Sequence, residues 1–342
     1  MRPEIDLSLL RDSLTQLEET TYFSAKLHEF THRLIGAINH VLSDLSRYDR
    51  STIALFASHM RLAQRYLEGS TIKEAPYEME YCLKAVLPHW VKRESLITTA
   101  LTTAQDFHFA PADPWAFIRN TISGFDTAGF DALLVLVGVP KLYAHKPLYC
   151  IPLYHEVGHF VDMTLGVTQM SLLINSHAAS PFERSHRQEF FADLFAACYV
   201  GRASSEALQT IAPNNAASHS HPSTKDRVAL VESFLRGSTH PYIELFQQSL
   251  QALKAPTLST MSVAPNIKEA LDDIRPYVIK NEAELHGLFE SGWSYLDAAL
   301  DRRGAPWAAT LTAPDIERIV NDLIEKSFRN HSIKLRWENG AP

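Results

Sequence analysis

Two histidines four positions apart, His155 and His159, are the residues of this chain best suited to chemistry, and Glu156 directly follows the first. On an α-helix, side chains four positions apart project from one face, so both imidazoles can reach a single metal ion. Glu156 lies about 100° round the helix from His155 and would flank the coordination position left to water. This HExxH pattern predicts a zinc site at which Glu156 is the general base.

The residues around this pattern favour a helix that buries the side opposite the histidines. Pro152 suits a first helical turn and Gly166 a C-terminal cap, so the predicted helix runs from Pro152 to Leu165. Gly158 is expected to leave room beside the metal. The apolar residues of the far side are Leu153, Val157, Phe160 and Val161.

A second HExxH match, from His28 to His32, lies in a different context. Its apolar stripe includes Leu27, Phe30, Leu34 and Ile38, which places both histidines on the solvated face of a long helix. Arg33 follows directly, where a helix that binds a metal would be apolar. We interpret this copy as ordinary surface polarity.

The third metal ligand is expected on a later apolar helix, which runs from Arg187 to Val200. Glu189 and Asp193 lie four apart on this helix, and two acids in so apolar a segment are costly unless they are paired or bind a cation. We predict that Glu189 is the third ligand. Asp193 would accept a hydrogen bond from the second ring nitrogen of a ligating histidine and so determine its tautomer.

Two alternatives remain open for these acids. One of the nearby histidines, His177 or His186, would replace Glu189 as the ligand. Otherwise the two acids would only form ion pairs with neighbouring arginines, namely Arg184, Arg187 or Arg202.

A histidine followed by a proline, His221, is a candidate donor to the oxyanion that develops when water attacks a carbonyl. The proline restricts the backbone of His221 at a predicted helix start. His219 is a second candidate. Arg227, about one helical turn further on, is expected either to steady the acids around the metal or to lie on the surface.

Three motifs in this order resemble the gluzincin clan of zinc metallopeptidases: HEVGH at 155–159, ExxAD at 189–193 and HPxxxxRV at 221–228. They are most similar to the family of Ste24- and HtpX-type endopeptidases. The acidic helix is also similar to that of the cytoplasmic ImmA/IrrE-type proteases, which cut regulators. The resemblance covers residues 155–228 and does not extend to either end of the chain.

The resemblance implies zinc held by His155, His159 and Glu189, catalysis by Glu156, and Asp193 behind the ligands. Ste24- and HtpX-type enzymes are typically membrane-embedded, whereas the apolar runs of this chain are too short to span a bilayer. Membrane or prenylated substrates are therefore not part of the expectation.

Composition narrows the class of protein. The net charge is −7 and no basic stripe is present, so nucleic acid is not an expected partner. The N-terminus lacks the apolar core of a signal peptide. The chain has three cysteines and no CxxC pair, which favours a reducing cytoplasm over a disulfide-linked secreted fold.

The length of 342 residues and the periodicity predict an α+β protein with three segments. Residues 1–93 form a helical N-terminal region and residues 237–342 a helical C-terminal region. Between them, residues 94–236 form a zincin-like core, in which a small sheet walls the site and an edge strand holds an extended peptide. Strands are predicted at 96–103, 107–109 and 132–137.

The expected function is that of a zinc-dependent metalloendopeptidase acting on a protein or peptide. The alternatives are a non-enzymatic interaction protein with a structural or vestigial zinc site, and a latent protease covered by its helical regions. A structural zinc ion is normally closed by four protein ligands, so the number of ligands separates these classes.

Overall fold

A computed structural model describes residues 2–72, 77–103, 106–176, 182–338 and 340. Helices predominate in this part of the chain and a small sheet accompanies them, which confirms the predicted α+β class. Contacts between residues divide the chain into two units. The first comprises Met1–Tyr77 and Lys92–Lys141, and the second Glu78–Val91 and Leu142–Pro342.

The α-helices in chain order are α1 (Pro3–Glu18), α2 (Ala25–Ser43), α3 (Arg50–Glu68), α4 (Tyr77–Trp90), α5 (Pro114–Thr121), α6 (Pro152–Leu165), α7 (Val167–Ile174), α8 (Glu183–Val200), α9 (Ala203–Ile211), α10 (Thr224–Leu235), α11 (Pro241–Ala252), α12 (Lys268–Asp272), α13 (Glu282–Leu300) and α14 (Ala313–Glu338). The strands are β1 (Ser95–Thr102), β2 (His108–Ala110) and β3 (Leu133–Pro140).

The first unit packs α1, α2, α3 and α5 with the three-stranded sheet around one apolar core. In the sheet, β3 lies in the middle, parallel to β1 and antiparallel to β2. All three strands fall where the β-branched and apolar runs predicted them. The burial of β3 on both faces explains why its sequence is apolar without alternation.

The outer edge of β1 is covered where α3 ends. The backbone N–H of Thr99 donates to Ser70 Oγ at 2.9 Å, and the Thr99 hydroxyl donates to the carbonyl of Gly69 at 2.8 Å. A Cβ on Gly69 would lie 2.3 Å from the carbonyl oxygen of Thr99, so only glycine permits this approach. The expected binding of a peptide along a strand edge stays a prediction.

The second unit is built around α6 and α8, with the C-terminal helices α11, α13 and α14 in the same unit. Helix α6 has the predicted bounds, and Gly166 ends it in the left-handed conformation with φ of 75°. Every residue of α8 from Glu189 to Val200 is buried. Two helices that were not predicted, α7 and α9, directly follow α6 and α8.

The two units have other bounds than the three predicted segments, which stay a prediction. The sheet belongs to the first unit and the HExxH helix α6 to the second, whereas the predicted core 94–236 placed both together. The zincin-like arrangement of sheet and site stays a prediction.

Within the described residues, no single helix has the length and apolar character needed to cross a membrane. Two consecutive helical segments, Pro147–Leu165 and Val167–Ile174, reach that length and apolar character only when taken together, and the chain bends by 64° between them.

Candidate metal site

The site is formed where α6 crosses α8 at Gly158. An added Cβ on Gly158 would lie 2.9 Å from the Cα of Ala192, so the two helix backbones approach more closely than any side chain would allow. The glycine was expected to leave room beside the metal. The structure gives that room to the backbone of α8, and the close crossing brings the histidines of α6 to Glu189.

The ligand atoms of His155, His159 and Glu189 converge. The two Nε2 atoms are 3.0 Å apart. Glu189 Oε2 lies 3.3 Å from His155 Nε2, and Glu189 Oε1 lies 3.4 Å from His159 Nε2. Neighbouring ligands around tetrahedral zinc are separated by about 3.3 Å, given bond lengths near 2.0–2.1 Å. Among the described residues, this group of three can hold a metal ion.

The polar atoms of this cluster are incompletely satisfied by the protein. Glu189 Oε2 is buried and no described residue gives it a hydrogen bond of acceptable geometry, although Arg227 Nη2 lies 3.4 Å away. Such a buried atom costs free energy unless a cation or a donor reaches it. Two imidazoles and a carboxylate suit zinc and also other transition-metal ions. The residues therefore fit a metal, without selecting zinc by themselves.

Asp193 lies behind the ligands and faces the other side of the His155 ring. Its Oδ1 is 2.9 Å from His155 Nδ1. A proton on Nδ1 is donated to this carboxylate, so Nε2 is the ring nitrogen directed at the ligand cluster, and in the neutral ring it carries the lone pair. Arg227 in turn donates from both Nε and Nη2 to Asp193, each at 2.7 Å. This fork holds the carboxylate in the plane that His155 requires.

Charges in the cluster are strongly coupled. Burial acts to lower the pKa of His155, but the hydrogen bond to Asp193 and the nearby carboxylate of Glu189 outweigh it and raise the pKa to about 10. Burial acts to raise the pKa of Glu189, yet the two histidines hold it far below its ordinary value. Burial also acts to raise the pKa of Asp193, but the positive charge of Arg227 outweighs it, so the pKa of Asp193 is lowered. Both acids are thus anionic in the fold, where His155 and Arg227 face them.

Glu156 is half-buried beside the cluster. Its carboxylate makes no hydrogen bond or ion pair within the described part of the chain. Burial acts to lower the pKa of Arg227, but Asp193, then Glu189 and last Glu156 raise it, so Glu156 and Arg227 interact electrostatically. A carboxylate with no committed partner can accept a proton.

His221 reaches the cluster from the loop before α10. Its Nε2 is 3.7 Å from Glu189 Oε1, and 56% of its side chain is exposed. His221 is not a member of the converging ligand group. His219 instead packs its ring against Phe182, with 4.1 Å between ring centroids. Of the two candidates, His221 is the one near the ligands.

The alternative partners of the acids are placed differently. His186 Nε2 donates to the carbonyl of Ser218 at 2.8 Å, and His177 lies outside the described residues. Arg187 is buried and donates to Glu183 at 2.6 Å. In the described contacts Arg227 is the arginine that pairs with Asp193 and Glu189.

The first HExxH copy, in the other unit, consists of residues engaged in surface contacts. His32 is 78% exposed and lies 2.7 Å from a Glu18 oxygen. Arg33 donates to Glu29 at 3.1 Å. No third ligand joins His28 and His32 in the described residues. Identical spacing therefore has different outcomes on α2 and α6.

Two contacts of this loop were not predicted from the sequence: the Ser220 hydroxyl contacts the His221 ring, and His186 binds the carbonyl of Ser218. Both contacts involve an aperiodic loop, where spacing along the chain does not predict which groups meet, so the sequence offered no signal for either. Comparison of the chain with protein-family models, with curated proteins and with solved structures found no match in any of the three.

Proposed function

We propose that this protein is a zinc-dependent metalloendopeptidase with Glu156 as its general base. The observation that carries the proposal is a three-residue ligand group with an uncommitted carboxylate beside it. Three protein ligands leave a position for water or substrate, which is the arrangement of catalytic rather than structural zinc. The order of the three motifs supports the same class.

Zinc, when bound, lowers the pKa of water and polarises the carbonyl oxygen of the substrate. The carboxylate of Glu156 accepts the proton of the attacking water and delivers it to the leaving amine nitrogen. His221 donates from Nε2 to the carbonyl oxygen as negative charge develops there. Asp193, held by Arg227, keeps the proton of His155 on Nδ1.

We further propose a zincin-like core, protein or peptide substrates, and action in the cytoplasm. Burial of the three unpaired thiols, Cys82, Cys150 and Cys198, supports a reducing compartment.

One observation favours a second candidate, a structural metal site in an interaction protein. His221 lies close enough to Glu189 that a small movement would make it a fourth ligand. A zinc ion coordinated by His221, together with loss of zinc when His221 is replaced by alanine, would favour this hypothesis.

The test compares the same substitution in the two HExxH copies. Glu156→Gln should retain zinc and lose activity on peptides by about 10²–10⁴-fold, because it removes the base and not a ligand. Glu29→Gln, on α2, is the matched control and should leave both properties unchanged. Glu189→Ala should lose zinc, measured by elemental analysis.

Wild-type hydrolysis by the Glu156→Gln variant would remove Glu156 as the base. Unchanged zinc stoichiometry in Glu189→Ala would remove Glu189 from the ligand set.

A further inference from the structure

The loop that carries His221, residues 212–223 between α9 and α10, is held by hydrogen bonds at its base and at its tip. At its base, the N–H of Thr224 donates to the carbonyl of Asn215 at 3.0 Å. At its tip, the N–H of Ser218 donates to the carbonyl of His221 at 2.8 Å, which closes a tight turn. His186, on α8, holds the carbonyl of Ser218 at 2.8 Å. The loop is therefore attached to the helix that supplies Glu189.

Within this turn, the two nitrogens of the His221 ring have different surroundings. Nδ1 lies 2.8 Å from the hydroxyl oxygen of Ser220. Nε2 faces the carboxylate of Glu189, 3.7 Å from Oε1. That distance is too long for a hydrogen bond, but the negative charge of the carboxylate favours a proton on Nε2. The lone pair of a neutral ring is then on Nδ1, where the Ser220 hydroxyl can donate to it.

The backbone of the turn leaves Ser220 available for this bond. The hydroxyl oxygen of Ser218, the other serine of the turn, accepts from the N–H of His221 at 3.1 Å. Its hydroxyl oxygen lies 3.4 Å from that of Ser220, farther than the ring nitrogen. The shortest hydrogen bond that Ser220 makes is to the His221 ring.

We propose that Ser220 is a positioning residue, which donates to His221 Nδ1 and thereby keeps the neutral ring as an Nε2–H donor directed at the substrate oxygen. This inference rests on the proposed function and adds to it the group that selects the tautomer of His221. The opposite tautomer would present a lone pair from Nε2 and would suit a fourth metal ligand instead. The tautomer that Ser220 favours is therefore the one that suits a catalytic site, and the other tautomer would suit a structural metal site.

The first arm of the test needs no activity. Ring-¹⁵N-labelled protein is recorded with and without zinc at a pH where His221 is neutral, and His221→Ala identifies the resonances. The Nε2–H tautomer is expected for His221 in both samples. In Ser220→Ala the population shifts towards a mixture, and Ser220→Thr, which retains the hydroxyl, restores the original spectrum. An Nδ1–H tautomer, or direct coordination of Nε2 when zinc is added, overturns the proposal.

The second arm is a double-mutant cycle on peptide hydrolysis. Ser220→Ala should lower kcat about tenfold with KM and zinc content unchanged, as expected for loss of one hydrogen bond that matters in the transition state. In a His221→Ala background the same change should have no further effect, because Ser220 acts only through the ring. Ser233→Ala, which deletes a hydroxyl that donates to Ala229 on α10, is the control and should change nothing.

An equal loss in both backgrounds would show that Ser220 acts independently of His221 and would overturn the inference. Absence of any hydrolysis by the wild-type protein counts against the proposed function instead. The tautomer measurement then still decides the relation between Ser220 and His221.

Discussion

At the scale of single residues, the cluster depends on which side chains have hydrogen-bond partners within it. His155 donates to Asp193, and Asp193 is held by both donors of the Arg227 fork. Glu189 faces two imidazoles and retains a buried oxygen without a hydrogen bond. The fully paired acid is suited to orientation, whereas the incompletely paired acid is suited to binding a cation.

Asp193→Asn should weaken zinc binding about 10–100-fold, because the amide no longer favours the correct tautomer of His155. It should also destabilise the protein by about 3 kcal/mol, since Arg227 loses its buried partner. Zinc titration and chemical denaturation measure the two effects.

The matched control is Asp322→Asn, which breaks a surface pair with Arg318 at 3.8 Å, and it should cost less than about 1 kcal/mol. Equal effects of the two substitutions would contradict the orienting part assigned to Asp193.

At the scale of elements, the site depends on the close crossing of α6 and α8. Neither helix holds a complete ligand set, and the ligands meet because Gly158 lies against Ala192. The Cα of Ala192 is backbone and cannot rotate away. A larger residue at position 158 must therefore separate the helices.

Gly158→Ala should destabilise the protein and weaken metal binding together. Overpacking costs about 1–3 kcal/mol, which exceeds the gain of about 1 kcal/mol from the helix propensity of alanine. Thermal denaturation and zinc titration provide the measurement.

Gly36→Ala is the matched control on α2, where the new Cβ would meet only the ring of Phe125 at 3.6 Å. This change should stabilise the protein by up to about 1 kcal/mol. Stabilisation by Gly158→Ala would mean that the crossing is looser than the structure places it.

At the scale of the molecule, both metal binding and buried charge couple to stability. A ligand that binds only the folded chain stabilises it, by about 2.7 kcal/mol at a hundredfold excess over Kd. A buried carboxyl group whose pKa is raised by folding destabilises the protein at pH values above the pKa that the group has in the unfolded chain.

Zinc should slow amide hydrogen exchange in α6 and α8, where the ligands lie, and leave exchange in α2 unchanged. Mass spectrometry of proteolytic fragments measures this directly. In Glu189→Ala the added protection should disappear. Protection centred on α2 would instead assign the metal to the first HExxH copy.

The second molecular prediction concerns Glu80 on α4. Burial raises its pKa from 4.5 to about 7, although Lys84 and Arg336 act to lower it. Between these two pH values the unfolded chain has released the proton and the folded chain still holds it. The free energy of unfolding therefore falls as the pH rises through this window, and the loss persists above it.

Glu80→Gln should remove this dependence and stabilise the protein at pH 7.5 by a few kcal/mol, with little change at pH 4. Denaturant unfolding at several pH values gives the comparison. Glu269→Gln, an exposed residue of α12, should leave the profile as in the wild type. A Glu80→Gln profile parallel to that of the wild type would contradict the prediction.

The sequence by itself determined the local elements and the residue types of the site. Spacing along α6 and α8 put His155 with His159, and Glu189 with Asp193, on shared helix faces, because helical geometry relates residues four apart. Periodicity likewise predicted α6 and the three strands. The short helices α7 and α9 were not predicted, since each follows a glycine, Gly166 or Gly201, that was interpreted as the end of the preceding helix.

Only the tertiary structure decided that both histidines of the second HExxH copy converge with Glu189, that Arg227 binds Asp193 with two donors, and that Ser220 contacts the His221 ring. The assignment of the sheet to one unit and of the HExxH helix to the other was likewise not predictable. Each of these facts is a contact between residues distant in the chain or within an aperiodic loop. Such contacts are determined by packing over the whole core, which spacing along one helix does not encode.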